Sequence, residues 1–464
     1  MTIKRMLQIV GVLVVITMVA VACCPAKPTE ETMAEPTKET MAEPTKETMA
    51  EPTEETMVEP TEEMQPSGEQ VTIEWWHIST AENHRDAWQA MADAYVADHP
   101  NVTINITVLE NEAFKSKLTT VMQSGEPPDL FQSWGGGVMN EYAKAGLLRD
   151  ITPEITGEWG DSFGAGPLGV YAYDGKQYGV PWDMGMVGFW YNKDLFAQAG
   201  IDAPPATWSE FLTDVQALKD AGITPIALGE GEKWPGHFYW VYLAVRIGGK
   251  PAFDAAYSRS GGFTDDPFVQ AGVELQKLID LEPFQEGFLG QGYGDQAALV
   301  GNGQAAMELM GQWAPAVEIS NSESGEGLGD ALGFFPFPAV EGGAGGAFDA
   351  MGGGNGIAVG KDAPDEAVDF LRFLTNVDNQ KTLTEMGIII PVVKGAEVAI
   401  TDPNMVMVYE NLAKADYFQL YYDQYLPPSV GEAVNDSVQE LYAGTMDPED
   451  VAQAVEDAAS LELD

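Results

Sequence analysis

The sequence predicts an α/β protein of two lobes, and three observations carry that expectation. Strand-like alternation and helix-like stripes take turns along residues 71–131. The same rhythm resumes after residue 190 and again near residue 362. A chain of 464 residues also exceeds what one compact core accommodates.

Val71, Ile73 and Trp75 alternate with polar residues, as in a strand. Trp88, Met91, Ala92, Tyr95 and Val96 then recur at helical spacing up to His99-Pro100. Val102, Ile104, Ile106 and Val108 alternate again. Phe114, Leu118, Val121 and Met122 form a second helical stripe, and Asp129-Leu130-Phe131 begins a third strand. Such an order builds a parallel sheet. Further on, Thr207-Trp208-Ser209-Glu210 reads as a capping box ahead of Phe211, Leu212, Val215 and Leu218, with Gly222 as the stop. Pro225-Ile226-Ala227-Leu228 reads as a strand. Pro364 opens a late helix through Val368, Phe370, Leu371 and Leu374.

The first 70 residues have a different character. Lys4 and Arg5 precede a mostly apolar stretch, Met6 to Ala22, the form of an export signal. A retained membrane helix is the other reading, and the stretch lies at the short limit for a span. Val19-Ala20-Val21-Ala22-Cys23 resembles a bacterial lipoprotein signal, in which the Cys is acylated and becomes the new N-terminus. Cys23 fits better than Cys24, because Ala22 precedes it. No other Cys exists, so no disulfide framework holds the fold. Pro28, Pro36, Pro44, Pro52 and Pro60 then recur every eight residues among Thr and Glu. These units bury too little apolar surface to offset chain entropy, and charge keeps them extended. O-glycosylation of their Thr residues is an open alternative. The expected organisation is a signal at 1–22, a lipidated N-terminus and acidic tether at 23–70, and a folded domain at 71–464.

Asp and Glu number 72 against 23 Lys and Arg, a formal charge of −49. Residues 1–24 carry +2 and residues 25–70 carry −10, which leaves −41 for 71–464. A surface this acidic repels phosphate backbones and argues against nucleic acid as a partner. Four scattered His are poor material for a metal site, so no metal or cofactor is expected.

An ordered series of motifs resembles one family. Glu74-Trp75-Trp76-His77 with the helix ending Asp98-His99-Pro100-Asn101-Val102 comes first. Gly125-Glu126-Pro127-Pro128-Asp129-Leu130-Phe131 and Ala145-Gly146-Leu147-Leu148 follow. Tyr173 to Pro181 leads to Tyr191-Asn192-Lys193-Asp194-Leu195-Phe196, then Pro205 to Phe211, then Ala305 to Trp313. The series is similar to the family 1 extracellular solute-binding proteins of ABC importers, most of all the carbohydrate-binding, maltose-binding-protein-like members. The resemblance implies a periplasmic-binding-protein-like fold, with hinge crossovers and a ligand cleft between the lobes. Lobe one would be about 71–182 and 340–388, and lobe two about 184–337 and 390–464. Crossovers would lie near Trp182-Asp183, Pro336-Phe337-Pro338 and Ile390-Pro391. It also implies an extracellular, membrane-anchored monomer that serves ABC permease subunits and is not an enzyme.

A sugar offers apolar C–H faces and a rim of hydroxyls, so a site needs flat aromatics with carboxylate or amide partners. Trp134 precedes Gly135-Gly136-Gly137 at the carboxyl end of a strand, where α/β sheets place ligands. Trp313 matches the family's stacking platform. Trp182 and Asp183 stand at the expected first hinge. Trp234 and His237 fall in a Gly-rich loop, and His77 ends the first strand. Gly353, within Gly352-Gly353-Gly354-Asn355-Gly356, would let backbone approach ligand closely. One Tyr of Tyr417, Tyr421, Tyr422 and Tyr425 could reach the ligand, whereas Trp75, Trp88, Trp190 and Trp208 belong to the core. The candidate set contains no cation, which favours a neutral sugar over an anion such as a glycerol phosphate. A glycoside hydrolase is the remaining alternative, but among 59 acidic residues in the domain a suitable-looking pair arises by chance.

Overall fold

The stripe at Ala87, Trp88, Met91, Ala92 and Tyr95 folds as the helix Glu82–Asp98, with all five side chains buried. The capping box holds the start of Trp208–Asp220: the Glu210 N–H donates to Thr207 Oγ1 at 3.4 Å, and the Thr207 N–H donates to Glu210 Oε2 at 3.2 Å. These elements come from a computed structural model that describes residues 69–463. The signal segment, Cys23 and the repeat tether lie outside the described residues.

Two main sheets organise the chain. The first runs in the order Val102–Val108, Val71–His77, Leu130–Ser133, Gly356–Val359, Gly179–Pro181. Its first three strands are parallel, as expected, and Gly356–Val359 runs antiparallel to both neighbours. The second runs Leu332–Phe335, Gly188–Asn192, Ala305–Met310, Thr224–Ile226. A small third sheet joins Phe418–Leu420, Ala350–Gly353 and Gly185–Met186. Each main sheet has its own core. Ile73, Trp75, Trp88, Leu130, Val180, Ile357 and Phe370 belong to one. Phe189, Trp190, Trp208, Trp240, Met307, Phe335 and Val438 belong to the other. The fold is the α/β two-lobe periplasmic-binding-protein-like kind, with a hinge between the lobes.

The chain passes between the cores three times, and the three crossings lie side by side. The N–H groups of Trp182 and Asp183 both donate to Asn355 O, at 2.9 and 3.2 Å. The Met184 N–H donates to Ile390 O at 3.1 Å. The crossings lie near 183, at 353–356 and near 390. Pro336-Phe337-Pro338 stays within the larger core. Phe337 is fully buried, stacked on Tyr242 at 4.7 Å and on Trp208 at 5.4 Å. Ala350 and Met351 remain in that core as well, so the return passes through Gly353–Gly356. Ile389, Val392 and Val393 pack in the smaller core, beyond the expected end of lobe one at 388.

A second difference concerns Trp234 and His237. They open the helical stretch Trp234–Tyr257, which breaks at Gly249, instead of lying in a loop. Pro235 occupies its first turn, and Trp240, Val241, Tyr242 and Leu243 are all buried. Among the described residues, no helix is long and apolar enough to cross a membrane.

Candidate functional site

A cavity of about 600 Å³ opens where the carboxyl ends of the first sheet face the second core. The turn Ile78–Ala81, leaving the strand Val71–His77, forms one wall with Trp134 and Lys115. Trp234, Tyr293 and Trp313 form the other, and the crossings supply Trp182, Asp183 and Asn355 as the floor.

Five of the eight expected ligand residues line this cavity: Trp134, Trp182, Asp183, Trp234 and Trp313. Trp134 follows Leu130–Ser133 and rests edge-on against Phe114 at 6.2 Å. Trp313 packs against a glycine: a Cβ at Gly311 would stand 2.1 Å from the indole Cζ3. Trp234 is held by its Nε1–H, which donates to Glu232 Oε2 at 2.9 Å. Glu232 Oε1 accepts the Tyr293 N–H at 3.0 Å, so one carboxylate fixes two residues of the same wall. Trp182 packs edge-on against Trp88 at 4.8 Å and shows the cavity only a margin. Asp183 is buried, and burial pushes its carboxyl up to about 7 against four nearby amide donors that favour the charge.

The other three are not in the lining. His77 is buried, edge-on to Trp75 at 5.0 Å, and its Nδ1 accepts the Ser79 N–H at 3.2 Å. It shapes the turn 78–81 from behind; burial brings its pKa down to about 4, so the ring is neutral. His237 is fully buried under Asp423, 3.9 Å away, because it sits inside a helix and not on a loop. Gly353 leaves room behind Tyr421, since a Cβ there would meet the Tyr421 ring at 2.4 Å. Tyr421 is the member of the late Tyr group that reaches the cavity.

Several lining residues escaped the sequence reading. His84, in the first turn of Glu82–Asp98, lines the cavity with Nε2 lacking an intramolecular partner. Burial lowers its pKa to about 4 and keeps it neutral. Its position just past the carboxyl end of the first strand was the available signal. Gln312 joins the lining beside Trp313, its unpartnered Oε1 buried against Gly185, and Asn355 comes with the middle crossing. Lys115 is a cation at the cavity where none was expected. Its Nζ pairs with Glu112 Oε1 at 2.9 Å and lies 5.8 Å from the Trp134 ring. Among the described residues, no group of three His, Cys, Asp or Glu side chains is placed to hold a metal ion.

The model of the family "Bacterial extracellular solute-binding protein" matches residues 81–381. The diacetylchitobiose binding protein DasA of Streptomyces coelicolor is 27% identical over 334 residues, covering 70% of this chain and 73% of that protein. An uncharacterized ABC transporter extracellular-binding protein of Pyrococcus horikoshii is 28% identical over 248 residues, and this chain spans 56% of its length. A solved chitin oligosaccharide binding protein superposes with TM-score 0.78 at 28% identity, over 85% of this chain and 99% of that one. A structure from work on xylan utilization by Caldanaerobius polysaccharolyticus gives TM-score 0.78 at 27% identity, over 83% and 99%. The matched segment runs from the cavity wall at Ala81 through both main sheets and two crossings, and the chain belongs to the bacterial extracellular solute-binding proteins.

Proposed function

We propose that this protein is the receptor of an ABC importer, capturing a neutral sugar or short oligosaccharide and passing it to the permease. The observation that carries this reading is the set of three indoles, Trp134, Trp234 and Trp313, on opposed walls of one cavity. Indole faces match the C–H faces of pyranose rings. Carboxylates of Glu112, Glu232, Asp295 and Asp423 line the same cavity and suit hydroxyls. The names of the relatives, diacetylchitobiose and chitin oligosaccharide binding proteins among them, support the same ligand class. Lys115 is neutralised by Glu112 in the carboxylate-rich cavity, which argues against a glycerol phosphate. Capture proceeds by rotation about the three crossings, with no bond broken.

Cys23 is the proposed lipid anchor, and the acidic repeat is the tether that holds the receptor off the membrane on the outer side. Mass spectrometry of the mature protein would find a diacylated Cys23 at the N-terminus; any other first residue rejects the anchor.

The receptor reading is tested by titrating purified protein with diacetylchitobiose, xylobiose and maltose while following Trp fluorescence, then recovering the sugar. Saturable binding with intact sugar is expected. Cleaved sugar, or no response to any of the three, would overturn it.

A further inference from the structure

Three crossings meet at one carboxylate. Asp183 lies on the first, 2% exposed. Its Oδ1 accepts the Ile390 N–H of the third crossing at 3.1 Å. Its Oδ2 accepts Asn355 Nδ2 of the second at 3.0 Å. The same oxygen accepts Gln312 Nε2 at 2.7 Å. Gln312 follows the strand Ala305–Met310 of the second sheet and directly precedes Trp313. On the opposite side, Asn355 Oδ1 accepts Gln132 Nε2 at 2.9 Å. Gln132 sits in the first sheet, two residues before Trp134. A continuous run of side-chain hydrogen bonds therefore joins the strand that carries Trp134 to the turn that carries Trp313.

We propose that Asp183 is the positioning residue of the hinge: it ties the three crossings together and sets the two indole faces against each other, instead of binding ligand itself. Both of its oxygens are occupied by intramolecular donors, which leaves little for a hydroxyl. Gln380 offers a useful contrast. It pins Trp182 O at 3.0 Å and accepts the Val392 N–H at 3.2 Å, but reaches nothing in the second sheet. The Asp183–Gln312 bond is the one in this group that spans the hinge to the second lobe.

The ionisation state of Asp183 decides whether the knot holds. A carboxylate accepts at both oxygens and matches its donors. Taking that charge out of water nevertheless costs more than these neutral dipoles return, so the buried group holds its proton up to about 7 and opening is favoured once it ionises. No Lys, Arg or His lies within 4 Å of Asp183 among the described residues, so neutral dipoles alone hold the charge. Tyr171 and Tyr421 face it, and burial keeps both phenols protonated. On the cavity side stand neutral His84, the Lys115–Glu112 pair and Asp423. With its own pKa pushed up to about 7, the knot titrates within ordinary pH.

Hydrogen–deuterium exchange on the ligand-free full chain tests this, read in peptides covering 184–187, 353–357 and 388–392. After correction for intrinsic exchange, wild-type protection of all three should fall about threefold or more from about pH 5.5 to about pH 8.5, because a carboxyl raised in the closed hinge and ordinary once solvated favours opening as it ionises. Asp183→Asn should lose about tenfold protection in all three and show no pH step. Whichever way that amide turns, its NH₂ group meets another N–H. Peptides of the strand Ala305–Met310 serve as the folded control. Gln312→Met, which keeps the carboxylate, should loosen 184–187 while retaining the pH step at 388–392. Hinge protection flat with pH in the wild type, or equal protection in Asp183→Asn, would overturn the proposal; if Asp183→Asn does not fold, the wild-type profile and Gln312→Met decide. The link to indole spacing rests on the receptor reading, and diacetylchitobiose affinity measured at the same pH values tests it separately. A protein that binds no sugar yet shows the exchange pattern would lose the receptor reading and keep the hinge.

Discussion

Gly311 stands beneath the indole of Trp313, with no room for even a methyl group: a Cβ there would lie 2.1 Å from Cζ3 and 2.3 Å from Cη2. The platform's tilt is set by this missing side chain. Gly311→Ala should turn the indole off its present plane and weaken sugar binding by about 1 kcal/mol or more, with little change in circular dichroism. Trp313→Ala should weaken it by about 1–3 kcal/mol. Fluorescence titration of both variants checks this, and unchanged affinity in a folded Trp313→Ala protein rejects the stacking role.

Gly353 plays the same part for Tyr421, whose ring would meet a Cβ at 2.4 Å. Gly353→Ala should drive the Tyr421 ring into the cavity, so affinity falls while melting temperature drops only modestly. Loss of stability without loss of affinity would place Tyr421 outside the ligand's reach.

Arg246 is a buried cation held by backbone carbonyls. It donates to Phe337 O at 2.8 Å, to Pro338 O at 3.1 Å and to Asp349 O, and its guanidinium lies 5.3 Å from the Tyr242 ring. Those carbonyls belong to the segment that stays in the larger core before the middle crossing. Arg246→Met leaves three carbonyls without a donor and should cost about 3 kcal/mol or more. Chemical denaturation reads this; a cost below about 1 kcal/mol would show that the carbonyls find other donors.

Asp183 and the two buried histidines pull stability in opposite directions with pH. The Asp183 pKa is raised on folding to about 7, so the folded state binds the extra proton and stability falls as pH rises from the usual carboxylate range toward 7. His77 and His84 are lowered to about 4, so the unfolded chain binds the extra protons and stability rises with pH from about 4 to 6.5. The stability difference between wild type and Asp183→Asn should therefore shrink across pH 4 to 7. The difference between wild type and His84→Gln should grow over the lower part of that window. Melting temperatures at half-unit steps of pH check both signs.

The early elements were legible because they obey simple periods. Trp88 to Tyr95 keep one helical stripe on the core, and Thr207 with Glu210 states a helix start in four letters. Trp234–Tyr257 was not legible for the opposite reason. It is apolar on every face from Trp234 to Val245, so no stripe marks it, and the Gly and Pro near its start look like a loop. Pro336 and Pro338 misled in another way: they bracket Phe337, which stacks between two aromatics instead of linking lobes. At the site, aromatic type found Trp134, Trp234 and Trp313. His84 and Gln312 depend on which way a turn faces, and Lys115 on a helix whose apolar side alone was read.

The strand Gly356–Val359 lies between Leu130–Ser133 and Gly179–Pro181, pairing with both. During synthesis the first sheet therefore carries a gap between these two strands until the whole second sheet has been made. Two unpaired edges wait there for a segment that arrives late and must close a long loop. The lobe that begins first stays open until the chain returns to it, and no contiguous N-terminal piece of the chain can be cut out as a finished lobe.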